Sequence, residues 1–214
     1  MLEQIDKDIF IHCLPHIGNN PTVFDIGAHK GHYTSFVKEA CPSAVVYLFE
    51  PNADLAATIK HDNVHNVAVS DGVYKILFHQ CGSKNDELSS VYEREVFNDL
   101  ETSAIEVPAI TIDYFLEEKK IEIVDFVKID VEGAELDVLN GAIKSMTLKK
   151  IKFLQVEYGG TYLDAGIKFT DVIKFVNLVG YRVYEKTNIW REVTIQNFVE
   201  DYRYQNFLIT YLPC

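Results

Sequence analysis

Val23-Phe24-Asp25-Ile26-Gly27-Ala28-His29-Lys30-Gly31, followed by Glu50-Pro51-Asn52 at the close of the next apolar run, decides the fold of this chain. Thr22–Ile26 is a short, nearly continuous apolar run closed by Gly27, the pattern of a strand buried on both faces. Gly31 opens a helix that stops before Pro42. Residues 44–49 form a second buried run with Glu50 at its tip. Asn52 is placed to cap another helix, with Leu55, Ala56 and Ile59 inward.

Working outward, residues 5–14 predict a short N-terminal helix, so residues 1–20 are expected as a helical extension and 21–214 as the main domain. Residues 64–69 predict a third strand, ending in the turn Ser70-Asp71-Gly72. Residues 74–79 alternate like a half-buried strand. Residues 81–104 are polar and aperiodic, the profile of a functional lid. Further strands are expected at 107–112, 123–129 and 151–156. A helix is expected over 134–146, with Leu136, Leu139, Ala142 and Ile143 inward, and another from a Thr170 cap to Val179. Residues 181–187 and 206–212 read as a final strand pair joined by a long connection. Strands alternating with helices predict an α/β fold: a Rossmann-like, doubly wound, mostly parallel sheet with an antiparallel C-terminal strand. Ligands bind such sheets beyond the carboxyl ends of the strands, where all the polar motifs fall.

The 214 residues are 48% hydrophobic and 24% charged, proportions suited to one soluble domain with a substantial core. The formal charge of −12 argues against a nucleic-acid backbone as partner. Cys13, Cys41, Cys81 and Cys214 show no paired spacing and read as reduced thiols. The charged first residues do not resemble a signal peptide, and no apolar run approaches a membrane span. A cytoplasmic location is the expectation.

The turn and the carboxylate together describe an adenosine cradle. Gly27 removes a side chain where backbone must pass close to a ligand, with Ala28 beside it. The helix opened at Gly31 presents its N–H groups to an anion. Glu50 is placed to accept from both ribose hydroxyls, with Pro51 and Asn52 beside it. Asp25 would repel a pyrophosphate but attract the ammonium of a methionine moiety, so S-adenosyl-L-methionine is expected rather than a dinucleotide. Thr34 can reach the methionine carboxylate from the first helical turn, and Ser70 and Asp71 lie where an adenine edge would be. Each also has a plain reading, as a turn or a cap.

Lys128-Ile129-Asp130-Val131-Glu132-Gly133-Ala134-Glu135 follows the fourth core strand, and Glu157 ends the next. Neighbouring strands lie ~4.8 Å apart, so Asp130 and Glu157 should meet. Such a pair suits a general base for a hydroxyl, or two oxygen ligands for Mg²⁺ or Mn²⁺. Asp130 is the first candidate base, followed by Glu157, Glu132 and His29. Asp130 as a helix cap, Glu132 as an orienting residue and Lys128 as a partner for a carboxylate are the structural alternatives. Asp113 reads as a helix cap.

At these residues the chain resembles the FkbM family of class I S-adenosylmethionine-dependent methyltransferases. The likeness rests on residues 24–31, Phe49-Glu50-Pro51-Asn52, Ile112-Asp113, residues 127–135 and Asn206-Phe207. It implies methyl transfer to oxygen, on a sugar, a glycan or a related metabolite. His29 departs from the family's usual small amide. Acceptor contacts are expected from Ser90, Tyr92 and Arg94 in the polar segment and from Tyr158. A non-sugar hydroxyl, an amine, or a silent cofactor-binding module are the other readings.

Overall fold

The structure is a computed structural model and describes residues 4–82, 86–93 and 102–213. Arg94 and Cys214 lie outside the described residues.

In chain order the elements are α1 (Gln4–Cys13), β1 (Thr22–Ile26), α2 (His32–Ala40), β2 (Val45–Phe49), α3 (Ala53–Thr58), β3 (Val64–His65), β4 (Ala68–Val69) and β5 (Tyr74–Cys81). There follow β6 (Thr102–Ile110), α4 (Ile112–Lys119), β7 (Val124–Ile129), α5 (Glu135–Asn140), α6 (Ile143–Thr147), β8 (Ile151–Tyr158) and α7 (Thr161–Asp164). The chain ends with α8 (Phe169–Leu178), β9 (Arg182–Lys186), β10 (Trp190–Val193) and β11 (Gln205–Thr210). Eight strands form one sheet in the order β10-β9-β11-β8-β7-β1-β2-β3. From β8 to β3 all neighbours are parallel, and β11 runs antiparallel between β8 and β9. The expected doubly wound sheet is therefore present. The chain leaves β1 towards β2 and later returns on its other side as β7, so β1 and β7 flank the topological switch point.

Two apolar layers cover the sheet. Phe24, Val127, Leu154 and Phe207 face α4, α5 and α8 on one side. Val23, Phe126, Phe153 and Leu208 face α1 and α2 on the other. Ile9, Phe10 and Cys13 of α1 are fully buried in that second layer. Strand alternation then places Asp25, Lys128 and Gln155 on the α1–α2 side, two residues beyond Val23, Phe126 and Phe153.

Several local expectations are corrected. The run 64–69 is not one strand. Asn66 donates from Nδ2 to the carbonyls of Glu50 and Pro51, both at 2.9 Å, and turns the chain. β4 then joins a separate sheet, β4-β6-β5. The helix expected over 134–146 breaks at Gly141, whose α-carbon packs so close to the Ser70 carbonyl that a Cβ would lie 2.1 Å from it. Ile143 is consequently 45% exposed. Thr111, rather than Asp113, caps α4 by accepting from Tyr114 N. Asp113 instead accepts from Lys144 N and Ser145 N at the start of α6. Thr170 does not cap α8; the Glu200 carboxylate accepts from Phe169 N and Thr170 N across the fold. The long C-terminal connection contains β10, hairpinned onto β9, so the edge strand is β10 and β11 is interior.

Candidate active site

The cavity at the switch point is lined on one side by Ile26, Gly27, His29 and Glu50, on another by Val67, Ala68 and Val69, and at its far end by Asp130, Val131 and Glu132. Gly27 and Ala28 both donate their N–H to Phe49 O, at 3.0 Å, which folds the turn over the end of β2. Gly27 has φ +77°, and a Cβ there would lie 1.7 Å from Asp130 O. Its lack of a side chain thus serves a backbone contact with the next strand's end, not only a ligand as expected. Gly31, at φ +74°, starts α2 in the left-handed region where glycine is favoured.

Glu50 is 5% exposed and held at both oxygens: Oε2 accepts from His29 N (2.7 Å) and Oε1 from Asn52 N (2.8 Å). Each oxygen keeps a second lone pair. Burial pushes the Glu50 carboxyl up to about 7. Asn52 caps α3 as expected, and Pro51 lines the cavity.

Asp25 and Thr34 lie behind the cavity wall. Asp25 is fully buried, Thr34 Oγ1 donates to its Oδ2 at 2.6 Å, and its Oδ1 has no hydrogen-bond partner. Burial raises the Asp25 carboxyl, and the Lys128 ammonium offsets part of that rise. Thr34 therefore supports Asp25 rather than reaching into the cleft. Ser70 and Asp71 are not among the lining residues; their polar atoms engage Tyr74 Oη.

Asp130 and Glu157 are brought together, as their positions after the paired residues Ile129 and Val156 require. Asp130, Glu132 and Glu157 each offer a carboxylate oxygen within 4.8 Å of the others. Lys128, 6% exposed, donates from Nζ to Asp130 Oδ2 at 2.7 Å. Burial alone would lower this ammonium, but Asp130 and Asp25 raise it overall. Burial would raise Asp130, and Lys128 reverses that, so Asp130 sits below its ordinary value. Glu157 is pushed up to about 10 by burial and by the charges of Asp130 and Glu132. At neutral pH the arrangement is an ionised Asp130 beside a protonated Glu157, with Lys128 beneath.

Lys128, expected as a partner for a carboxylate, has that role beside Asp130, and two residues not assigned a role from sequence, Gln155 and Glu135, complete the site. Lys128 is in register with Asp25 on one side and Gln155 on the other. Gln155 is fully buried, accepts from Tyr33 Oη at 3.2 Å and donates to Asn206 Oδ1 at 3.1 Å. The buried Glu135 carboxylate accepts from Val131 N (3.0 Å) and Gly133 N (3.1 Å), fixing the turn after Asp130. This frees Glu132 to adopt φ +57°. The signal for Gln155 and Glu135 was a polar residue in an otherwise apolar strand or beside an apolar helix face.

The segment 86–93 closes over the cleft. Asp86 binds His29 Nε2 at 2.8 Å and Lys30 Nζ at 2.9 Å. Ser90 Oγ donates to Glu132 O (2.8 Å) and Tyr92 Oη to Asp137 Oδ2 (2.7 Å). Ser90 and Tyr92, expected as exposed acceptor contacts, instead tether this strap. Tyr158 is corrected too: it is 1% exposed in the opposite layer, and its hydroxyl donates to Glu200 and accepts from Tyr202 N. His29 lines the cavity at its strap end.

The model of the Methyltransferase FkbM domain matches residues 25–183. The chain belongs to the FkbM methyltransferase family. Among curated proteins with detectable likeness, 2-O-methyltransferase NoeI of Sinorhizobium fredii is 28% identical over 165 residues, covering 69% of this chain and 67% of that protein. The solved FkbM methyltransferase of Methylobacillus flagellatus superposes with a TM-score of 0.55 at 15% identity, over 90% of this chain and 44% of the larger one. The chain thus spans less than half of that solved protein. The plantazolicin methyltransferase BpumL, solved with SAH, superposes with a TM-score of 0.50 at 7% identity, over 98% and 86% of the two chains. These two likenesses establish the shared fold. No helix among the described residues is long and apolar enough to cross a membrane.

Proposed function

We propose that this chain transfers the methyl group of S-adenosylmethionine to a hydroxyl, and that the hydroxyl belongs to a sugar or glycan. The observation that carries the reading is Asp130, backed by Glu157 and Lys128, in the lining of a cleft that Glu50 also lines. The fit to the cofactor rests on Glu50, whose two oxygens are fixed by backbone N–H groups and retain lone pairs for a ribose diol. The name of the NoeI relative supports oxygen as the acceptor atom.

Bound in this cleft, S-adenosylmethionine supplies a methyl group on sulfur, already a good leaving group, so the protein's work is chiefly positioning. Asp130 accepts the hydrogen bond of the acceptor hydroxyl and orients its lone pair. A carboxylate is too weak a base to ionise an alcohol beforehand. The proton passes to Asp130 only as the new carbon–oxygen bond makes it acidic. Protonated Glu157 donates to Asp130 and keeps it aimed; Lys128 keeps it charged. The strap 86–93 excludes water.

A second reading is favoured by the three carboxylates within 4.8 Å, a donor set that a hard divalent cation takes. It predicts loss of transfer on chelation and recovery with Mg²⁺ or Mn²⁺. Label transfer from methyl-tritiated S-adenosylmethionine to a panel of sugars, polyols, phenols and amines tests the main proposal. Labelling of amines alone would exclude oxygen transfer.

A further inference from the structure

We infer that His29, oriented by Asp86 of the strap, takes up the proton that Asp130 receives from the acceptor hydroxyl. The inference rests on the methyl-transfer reading and adds to it a second proton-accepting group, one that is complete only while the strap is closed.

His29 stands in the turn that packs on the end of β7. Asp130 N donates to Ile26 O at 3.1 Å, and the Gly27 α-carbon lies against Asp130 O. His29 follows two residues later at φ +50°, a backbone that few residues with a side chain adopt. That conformation serves two contacts at once. Its N–H donates to Glu50 Oε2 at 2.7 Å, and its ring Nε2 lies 2.8 Å from Asp86 Oδ1. Lys30 Nζ holds the other Asp86 oxygen at 2.9 Å, which keeps this carboxylate ionised and able only to accept. Nε2 therefore carries the ring hydrogen and donates it. In the neutral ring Nδ1 is left with its lone pair, and among the described residues no group bonds to it. His29, Asp86 and Asp130 all line the same cavity.

Asp130 alone is a poor destination for the proton. Lys128 Nζ, 2.7 Å away, stabilises its charge, which suits orientation but weakens a base. An imidazole backed by a carboxylate is the stronger proton acceptor, because the carboxylate fixes the ring and stabilises the imidazolium that forms. As the carbon–oxygen bond forms, the electron pair of the carbon–sulfur bond withdraws to sulfur. The hydroxyl proton passes to Asp130 and, through one enclosed water, to His29 Nδ1. Charge is conserved: the sulfonium is neutralised, and one imidazolium appears, paired with Asp86. The His29 side chain is 31% exposed, against 9% for Asp86, so the proton has an outlet to solvent that avoids the buried carboxylates. Against the effect of burial, Lys128 and then His29 lower the Asp130 carboxyl, so His29 is near enough for its charge to act there.

The test uses the full chain, methyl-tritiated S-adenosylmethionine and, as acceptor probes, the methyl glycosides of glucose, mannose, rhamnose and fucose. Calorimetry with S-adenosylmethionine is run on every variant. His29→Asn keeps the N–H to Glu50 and tolerates the left-handed backbone. Its single-turnover rate should fall roughly a hundredfold, the lower range for loss of a proton-transfer group, with cofactor affinity within about twofold. His29→Gly leaves a ring-sized space on the same backbone, and added imidazole should raise its rate by roughly tenfold. Asp86→Asn, which leaves the His29 ring in place, should slow the single turnover by roughly tenfold and gain nothing from imidazole. A residue that only latched the strap would change S-adenosylhomocysteine dissociation, not the single-turnover rate, and free imidazole would not replace it. A single-turnover rate in His29→Asn within about twofold of the unaltered protein, or no response of His29→Gly to imidazole, overturns the relay. Cofactor binding without labelling of any glycoside would instead overturn the sugar-acceptor reading and the relay with it, and absence of cofactor binding by the unaltered protein the methyl-transfer reading itself.

Discussion

Lys128 Nζ lies 2.7 Å from Asp130 Oδ2, and both side chains rise from the same face of one strand end. The ammonium is buried beneath the carboxylate, so it acts as a fixed internal counter-ion. In a site shielded from water, such a charge is felt far more strongly than at the surface.

Removing that charge tests how Asp130 is kept ionised. Lys128→Met preserves bulk but leaves Asp130 beside Glu157 without a cation. Asp130 should then rise, and the acid limb of the kcat profile should move to higher pH. At pH 7 turnover should fall by roughly a hundredfold, the usual scale for losing a general base, while cofactor affinity changes little. An acid limb identical to that of the unaltered protein would show that Lys128 does not set the charge of Asp130.

Glu157 yields a prediction about stability. Its carboxyl is pushed up to about 10 in the fold, from an ordinary value near 4.5. The folded state therefore binds its proton more tightly than the unfolded chain does. The resulting stability is complete below about pH 4.5, declines as pH rises, and is gone above about 10. Glu50 and Glu135, each raised to about 7 mainly by burial, act in the same sense over a narrower window. Glu157→Gln keeps the shape and removes the titration. The Tm of Glu157→Gln relative to the unaltered protein should rise steadily between pH 5 and pH 9. A constant difference would mean that Glu157 is already ionised in the fold.

The limits of sequence reading are visible in the same cluster. Asp130 and Glu157 were legible because each ends a buried apolar run, and consecutive parallel strands place their ends together. Glu50 was legible for the same reason. Lys128 was legible as a partner for a carboxylate, which Asp130 supplies; Gln155 was not, because its meaning is a register between strands far apart in the chain, with Lys128 on one side and Asn206 on the other. The Gly141 break was hidden because residues 134–146 keep a helical spacing on both sides of it. Only the approach of the Ser70 carbonyl shows why the helix stops there.

Glu50 also predicts how cofactor binding varies with pH. With its carboxyl raised to about 7 by burial, Glu50 takes up a proton in the free protein as pH falls through neutrality. Ribose hydroxyls that donate to it favour the ionised form and lower its pKa in the complex. Binding should therefore tighten as pH rises from 6 to 8 and level off above. 5′-Methylthioadenosine, which has the ribose but no amino acid, isolates this effect from titration of the methionine ammonium. In Glu50→Gln the slope should vanish and affinity should fall at least tenfold, the loss of one charge-assisted hydrogen bond of ~1.5–3 kcal/mol. A slope that survives in Glu50→Gln would assign it to another group.

Asp86 is the latch of the strap. It is 8% exposed and joins His29 and Lys30, both in the turn that frames the cleft. Burial would raise its carboxyl, but hydrogen bonds from Lys30 and His29 bring it below its ordinary value. Asp86, Glu87, Ser89 and Val91 all line the cavity, so release of the latch exposes whatever lies beneath. Ser90 and Tyr92 still tie the far end of the strap to Glu132 and Asp137, so opening should be local. In Asp86→Ala, amide exchange over residues 86–91 should accelerate while exchange in β1, β7 and β8 stays as before. Dissociation of labelled S-adenosylhomocysteine should quicken by roughly tenfold, the scale of about 1.4 kcal/mol. Asp86→Asn, which keeps the hydrogen-bonding shape without the charge, should fall between the two. If exchange accelerates with dissociation unchanged, the strap covers the cleft without gating it.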